Sequence, residues 1–376
     1  VPGDGKDSRI VRYNTLTGFA YSSEGGFYMQ PIRLVQVGMG GWGRSWAKVL
    51  AQHPELVQVV ACVDVQPEML LQLRQDVAVA EGACFTSLEA ALAATAADAV
   101  LVTTAVGGHA PVALAALEAG KHVLVEKPFA PTLAEAQVVV DAAADAGRVL
   151  MVSQNYRFYP AAQTAAALVR QGSLGPVSSV SVQFRRYANL QPRAAHRHYH
   201  IRHPLLLDMA IHHFDLMRYV LGQEPVAVHC HAWNPPWSNF DDPAAATAII
   251  TFDGGAVVDY RGSWVSTGPQ TAWDGEWQIE CAEGVIVWTG RDDNSLAAES
   301  VTILPRGKRR GRRITLPELP YWDRAGALSE FVHAIAAGRE PLTGGRDNLA
   351  SAALMFAAIK SAETGAPIST LGPLAV

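Results

Sequence analysis

Between Ile32 and Ser153, short uninterrupted apolar runs alternate with amphipathic stretches, and few folds accommodate that alternation. The runs Ile32–Val37, Val57–Val63, Ala99–Thr103, His122–Val125 and Val149–Ser153 read as strands. Between them Gly43–His53, Glu68–Arg74, Pro111–Ala119 and Leu133–Ala146 read as helices, the last two closed by Gly120 and Gly147. A strand that is apolar at every position needs cover on both faces, which helical crossovers between parallel strands provide. The segment is expected to be a doubly wound parallel α/β sheet.

After residue 153 the pattern changes. Helical stretches at Pro160–Arg170 and Leu206–Leu221 are followed by strand-like runs at Val226–His231, Ala246–Phe252, Ala256–Ser263, Trp277–Ala282, Val285–Thr289, Val301–Leu304 and Arg312–Leu316. A further strand is expected at Val177–Arg186, and closing helices at Gly326–Ala337 and Asn348–Thr364. Successive strands joined by turns such as Asp253-Gly254-Gly255 predict a mostly antiparallel sheet in an α+β domain. The expected division is a leader or tag-like extension at 1–28, a nucleotide-binding domain at 30–153 and a substrate-binding or oligomerisation domain at 154–376. The leader lacks the apolar core of a signal peptide.

Composition excludes several partners. The formal net charge is −5, and no apolar run reaches the length of a membrane span. The one dense basic run, Arg306–Arg313, lies between two strand-like stretches and reads as a solvated hairpin tip. Neither nucleic acid nor membrane is therefore an expected partner. Cys62, Cys84, Cys230 and Cys281 are widely spaced, as expected of free thiols in a cytoplasmic protein.

Chemistry enters at Gly38-Met39-Gly40-Gly41-Trp42-Gly43, a G-x-G-x-x-G pattern between the first strand and first helix. Gly38 permits the tight turn, Gly40 lets backbone approach a pyrophosphate, and Gly43 lets the helix pack closely on the sheet. Asp64 ends the second strand 21 residues after Gly43, where a carboxylate binds ribose hydroxyls and repels a 2′-phosphate. No arginine follows closely, so NAD is expected over NADP. Glu126-Lys127-Pro128 ends a parallel strand, placing Lys127 at the edge where open α/β sheets bind ligands. The plain alternative is a surface ion pair between Glu126 and Lys127. Asp208 and His212 are four apart in a helical stretch and are expected on one side of it.

Together with Asp208-Met209-Ala210-Ile211-His212-His213-Phe214-Asp215 and Gln154-Asn155-Tyr156-Arg157-Phe158-Tyr159-Pro160, these motifs resemble the glucose–fructose oxidoreductase / inositol dehydrogenase / MocA family, from about Ile32 to Thr370. The resemblance implies a Rossmann domain followed by an α+β domain with a large open-faced sheet that supports a homodimer or homotetramer. It implies that Lys127, Asp208 and His212 are catalytic. It places Met39, Gly41, Trp42, Thr104, His109, Glu126, Lys127 and Asn155 with the glycines and Asp64 at the cofactor. Tyr156 and Arg157 would join Lys127, Asp208 and His212 at the substrate. The sequence departs from the family's Thr-Pro-Asn pattern at Thr104-Ala105-Val106, which leaves the cofactor geometry there open.

The expected activity is NAD-dependent oxidation of a secondary alcohol on a sugar, glycoside or cyclic polyol. The alternatives are a glycosidase using transient oxidation and a dinucleotide-sensing regulator. Trp233, Trp237, Trp264, Trp273 and Trp277 suit the apolar faces of pyranose rings or, equally, a sheet core. The His- and Arg-rich segment 193–203 reads better as a substrate-covering loop than as a metal site, because its arginines would repel a cation.

Overall fold

A computed structural model of the chain describes residues 12–13, 20–21, 30–290 and 298–371. The leader expected at 1–28 lies outside the described residues except for β1 (Arg12–Tyr13) and β2 (Ala20–Tyr21), which pair antiparallel.

Six parallel strands form the first sheet: β3 (Ile32–Val37), β4 (Val57–Val63), β5 (Cys84–Phe85), β6 (Ala99–Val102), β7 (His122–Val125) and β8 (Leu150–Val152). Their spatial order is β5-β4-β3-β6-β7-β8. The chain thus winds outward in one direction from β3 and in the other from β6, leaving a crevice beyond the carboxyl ends of those two strands. Every residue of β6 and β8 is buried, as the apolar runs required.

Side-chain alternation divides the core between the two faces. Leu34 and Leu101 face α1 (Gly41–Gln52), where Trp46 and Leu50 cover them. Val35, Val100 and Val123 face the opposite way, toward α3 (Leu88–Ala94), α4 (His109–Glu118) and α5 (Leu133–Asp145). The remaining crossover, α2 (Pro67–Asp76), buries Leu70 and Leu73 against Met39, Ala47 and Cys62. Sequence reading missed β5, which has only two residues, and α3, an alanine-rich helix with little polar contrast. A cap still marks the start of α3, where Ser87 Oγ accepts the Ala90 N–H at 3.2 Å.

The second sheet has nine strands: β9 (Val177–Arg185), β10 (Pro225–Trp233), β11 (Ala245–Phe252), β12 (Val257–Ser263), β13 (Glu276–Cys281), β14 (Gly284–Thr289), β15 (Ser300–Pro305), β16 (Arg312–Ile314) and β17 (Ile368–Ser369). Their order is β16-β15-β14-β13-β9-β12-β11-β10-β17, antiparallel throughout except between β9 and β12. In β11, Ala248 and Ile250 are buried while Thr247, Ile249 and Thr251 are exposed. The buried face packs on α6 (Pro160–Gln171), α7 (Ile211–Leu221) and α9 (Gly345–Thr364). The basic run is the exposed β15–β16 hairpin.

Two features tie the sheets together. Helix α8 (Asp323–Ala337) returns to the first sheet and packs Leu328, Phe331 and Val332 beside Trp46. Just before α9, the Thr343 carbonyl accepts the Val152 N–H at 2.9 Å.

One sequence expectation needs correction here. The stretch leading into α7 is not one regular α-helix: Pro204–Ala210 is a π-helical turn, and α-helix begins at Ile211. The four-residue spacing of Asp208 and His212 is therefore not the α-helical repeat on which the shared face was argued. A π-turn carries a residue more per turn, so it changes the phase at which side chains leave the axis. Here it sends Leu205, Leu206 and Met209 into the core.

Candidate active site

The crevice between the two sheets holds two adjoining cavities, of about 950 Å³ and about 650 Å³. Trp42, Thr104, Val106, Pro128 and Asp208 line both.

The larger cavity is built on the glycine loop. Gly38 has φ +95°, and a Cβ there would lie 2.6 Å from the Thr104 nitrogen. A Cβ on Gly43 would lie 1.8 Å from the Gly38 carbonyl oxygen, so the start of α1 can approach the strand only as glycine. Gly40 and Gly41 face open space and line the cavity with Gly38 and Trp42. The Asp64 carboxylate accepts the Met39 N–H at 2.6 Å and the Gln66 N–H at 2.9 Å, which fixes it at the cavity wall. Met39 and Gly43 shape the loop without lining the cavity; Met39 is fully buried. A helix N-terminus with open glycine backbone suits a pyrophosphate, and a fixed carboxylate beyond it suits ribose hydroxyls. These residues fit NAD. Sequence reading missed Thr86, Ser87 and Arg197, which also line this cavity.

The smaller cavity holds the reactive side chains. Lys127, at the end of β7, donates from Nζ to the Asp208 carbonyl at 2.7 Å and to Asp208 Oδ1 at 2.8 Å. Burial would raise the Asp208 carboxyl, but Lys127 and His198 outweigh it and hold the group well below the usual carboxylate range. His212 lines the same cavity and stacks on Tyr156, ring centroids 4.3 Å apart and 16° from parallel. Its neighbour His213 points the other way, into the core, within reach of the Tyr260 hydroxyl at 3.1 Å and the Trp273 carbonyl at 3.0 Å.

The remaining candidates support this centre in different ways. Glu126 is buried and accepts the Trp46 indole N–H at 2.7 Å. The Lys127 amine pairs with Asp208, so the simple Glu126–Lys127 surface pair is absent. His109 lines the cavity with its ring nitrogens 2.8 Å from the Pro128 carbonyl and 3.1 Å from that of Thr104. It thereby ties the loop after β6 to the end of β7, and burial pushes its imidazole down. The divergent loop forms a tight turn over Val106–Gly108 that leads directly into α4. Asn155 lines the cavity and donates to Asp323.

Arg157 must be corrected. It does not line the cavity. Its buried guanidinium is held by both Asp215 oxygens at 2.6 Å, by Asp347 at 2.8 Å and by the Leu342 carbonyl at 2.9 Å. An arginine beside Tyr156 reads as a ligand group in sequence, but its acidic partners lie in α7 and α9.

The aromatic walls overlap the expected set in part. Trp264 and Trp273 line the cavity, whereas Trp277 stacks on Trp288 in the core, centroids 4.7 Å apart. Trp233 and Trp237 do not line it. Tyr159, Trp322, Asp323 and Arg324 do, and sequence reading missed them. No local motif marks the last three, which reach the site only because α8 folds back. The segment before the π-turn is pinned rather than a bare cover: His198 Nε2 lies 3.2 Å from Asp208, and His200 Nδ1 lies 2.6 Å from Asp241. His198, His200 and His203 thus face separate carboxylates, Asp208, Asp241 and Glu363. Among the described residues no cluster of three metal-ligating side chains occurs, and no helix is long and apolar enough to cross a membrane.

Comparison with known proteins agrees with this fold. Residues 32–154 match the model of an oxidoreductase family with an NAD-binding Rossmann fold, and residues 162–287 match the GFO/IDH/MocA C-terminal domain. The chain is 29% identical to D-apiose dehydrogenase of Paraburkholderia graminis, over 82% of each protein. It is 26% identical to inositol 2-dehydrogenase of Rhizobium meliloti, over 88% of this chain and 96% of that one. An Agrobacterium radiobacter oxidoreductase solved with NAD+, L-tartaric acid and magnesium superposes with a TM-score of 0.77 at 19% identity, covering 90% of this chain and 98% of that one. With its glycine loop, its Asp64 and both halves of the family pattern in place, the chain belongs to the glucose–fructose oxidoreductase / inositol dehydrogenase / MocA family of NAD-dependent oxidoreductases.

Proposed function

We propose that the protein oxidises a secondary hydroxyl of a sugar, glycoside or cyclic polyol, with Lys127, Asp208 and His212 as the reacting groups. The observation that carries this reading is that all three side chains line one cavity, which adjoins the cleft that fits NAD. Similarity to D-apiose and inositol dehydrogenases supports a polyhydroxylated substrate. Residues 30–153 then serve as the nucleotide half and 154–376 as the substrate half, in a homodimer or homotetramer joined through the open sheet.

Bound NAD would supply the hydride acceptor. The chain's own residues handle the proton and the charge. The His212 imidazole takes the hydroxyl proton, and its stack on Tyr156 fixes the ring's plane. The Lys127 ammonium stabilises negative charge developing on the substrate oxygen, while Asp208 holds that ammonium in place. Trp264 and Trp273 offer flat faces to the C–H side of a ring, and the surrounding aromatics exclude water.

A screen of sugars and inositols, followed by absorbance of the reduced nicotinamide, tests this. Lys127→Met and His212→Ala should each lower kcat on the order of a hundredfold or more. Wild-type protein that binds NAD but reduces none with any polyol would sink the reading.

A further inference from the structure

The segment leading to the π-turn contributes a group that the Lys127–Asp208–His212 set does not include. We infer that His198 is a positioning residue: it grips the second oxygen of Asp208 so that the first stays on Lys127. The inference rests on the reading of Lys127 and Asp208 as reacting groups.

Asp208 has two carboxylate oxygens and two basic neighbours. Oδ1 lies 2.8 Å from Lys127 Nζ, and Oδ2 lies 3.2 Å from His198 Nε2. The carboxylate is thus held from both sides, by the nucleotide-binding half and by the segment that crosses in front of it. A lone Lys127 contact would leave the carboxylate free to turn about its χ2 torsion, which is broad in energy. Contact at both oxygens removes that freedom.

The His198 ring is itself fixed. It packs edge-on against Phe240 at 5.2 Å and Trp264 at 5.1 Å, and its side chain is 17% exposed. Its buried Nε2 makes no well-directed hydrogen bond among the described residues, and its contact with Asp208 Oδ2 at 3.2 Å is an ion-pair approach. Trp264 also lines the smaller cavity, whereas His198 does not. His198 therefore acts through Asp208 and not on substrate. Arg197, one residue earlier, lines the larger cavity, so this single turn of chain touches both halves of the site.

The test reads the Lys127–Asp208 geometry directly and needs no substrate. Amines are reductively methylated in their neutral, unpaired form, so a carboxylate clamp protects Lys127. Formaldehyde with a borane reductant is the probe; peptide mass spectrometry follows Lys127, with exposed Lys360 as internal reference. His198→Ala should speed Lys127 labelling by about threefold or more, the scale of one ion-pair contact. His198→Gln, which can place an N–H donor where Nε2 stood, should return the rate to that of the wild type. Asp208→Asn should speed labelling in both backgrounds.

If Asp208→Asn speeds labelling while both His198 variants label as wild type does, His198 has no positioning role. If Asp208→Asn has no effect, the pair itself is absent and the inference falls with it. Should His198→Ala fail to fold, fast labelling of His198→Gln overturns the inference. Failure of a polyol screen would count against the proposed reaction and leave these rates unchanged.

Discussion

Two adjacent histidines show how much a single position decides. His212 faces the cavity beside Tyr156, while His213 is fully buried against Tyr260 and Trp273. Burial pushes the His213 imidazole down to about 4, against 6.5 for an ordinary histidine. With the folded value below the unfolded one, the unfolded chain takes up the proton first. The stability linked to His213 is therefore complete above about 6.5 and drains away as the pH falls towards 4. Melting temperatures recorded across this window should fall less steeply for His213→Gln than for the wild type. Equal slopes would show that another group carries the acid sensitivity. Sequence reading chose His212 through the family resemblance, supported by its spacing from Asp208, and the structure places both in one cavity. The spacing argument itself assumed an α-helix that is not there.

That discrepancy belongs to the π-turn at Pro204–Ala210. Its apolar residues satisfy the core, so the hydrophobic pattern is indifferent to whether the turn is α or π. What distinguishes the two is which residues fall between the buried ones. Wide turns of this kind concentrate at functional sites because they re-aim a side chain without ending the helix. Deleting Leu207 should convert the turn to regular α-helix and move Asp208 away from Lys127. Turnover should then fall at least about a hundredfold; NAD affinity should fall by less, because the glycine loop and Asp64 are untouched although Leu207 and Asp208 also line the larger cavity. Isothermal titration with NAD beside steady-state kinetics separates the two effects. Retained turnover would mean that the wide turn is incidental. Eight of the nine strands of the second sheet, by contrast, were legible to within two residues at each end, because half-buried strands alternate and their turns carry glycine. Between residues 30 and 371 the strands and α-helices that escaped, β5, β17 and α3, are too short or too uniformly small to show a period.

Across the whole molecule, buried charge joins segments far apart in sequence. Arg157 holds Asp215 of α7 and Asp347 of α9, and Arg218 reaches the same Asp347 at 3.2 Å. Arg157→Met leaves the buried Asp215 with much of its compensation gone, at a cost of about 3–5 kcal/mol. Urea unfolding should register that loss, and a change below about 1 kcal/mol would show that the network is dispensable. Sequence alone determined the parallel sheet, the glycine loop with Asp64 and all strands of the second sheet but β17, because each is written in local periodicity or fixed spacing. It also singled out Lys127, Asp208 and His212, through motifs in two separate stretches. Tertiary structure decided that Arg157 belongs to the scaffold and that Trp322, Asp323 and Arg324 belong to the site. It also decided that His198 meets Asp208. The physical reason is range: periodicity records which face of an element is buried, whereas a side chain's partner depends on packing between elements that the chain joins only after long excursions.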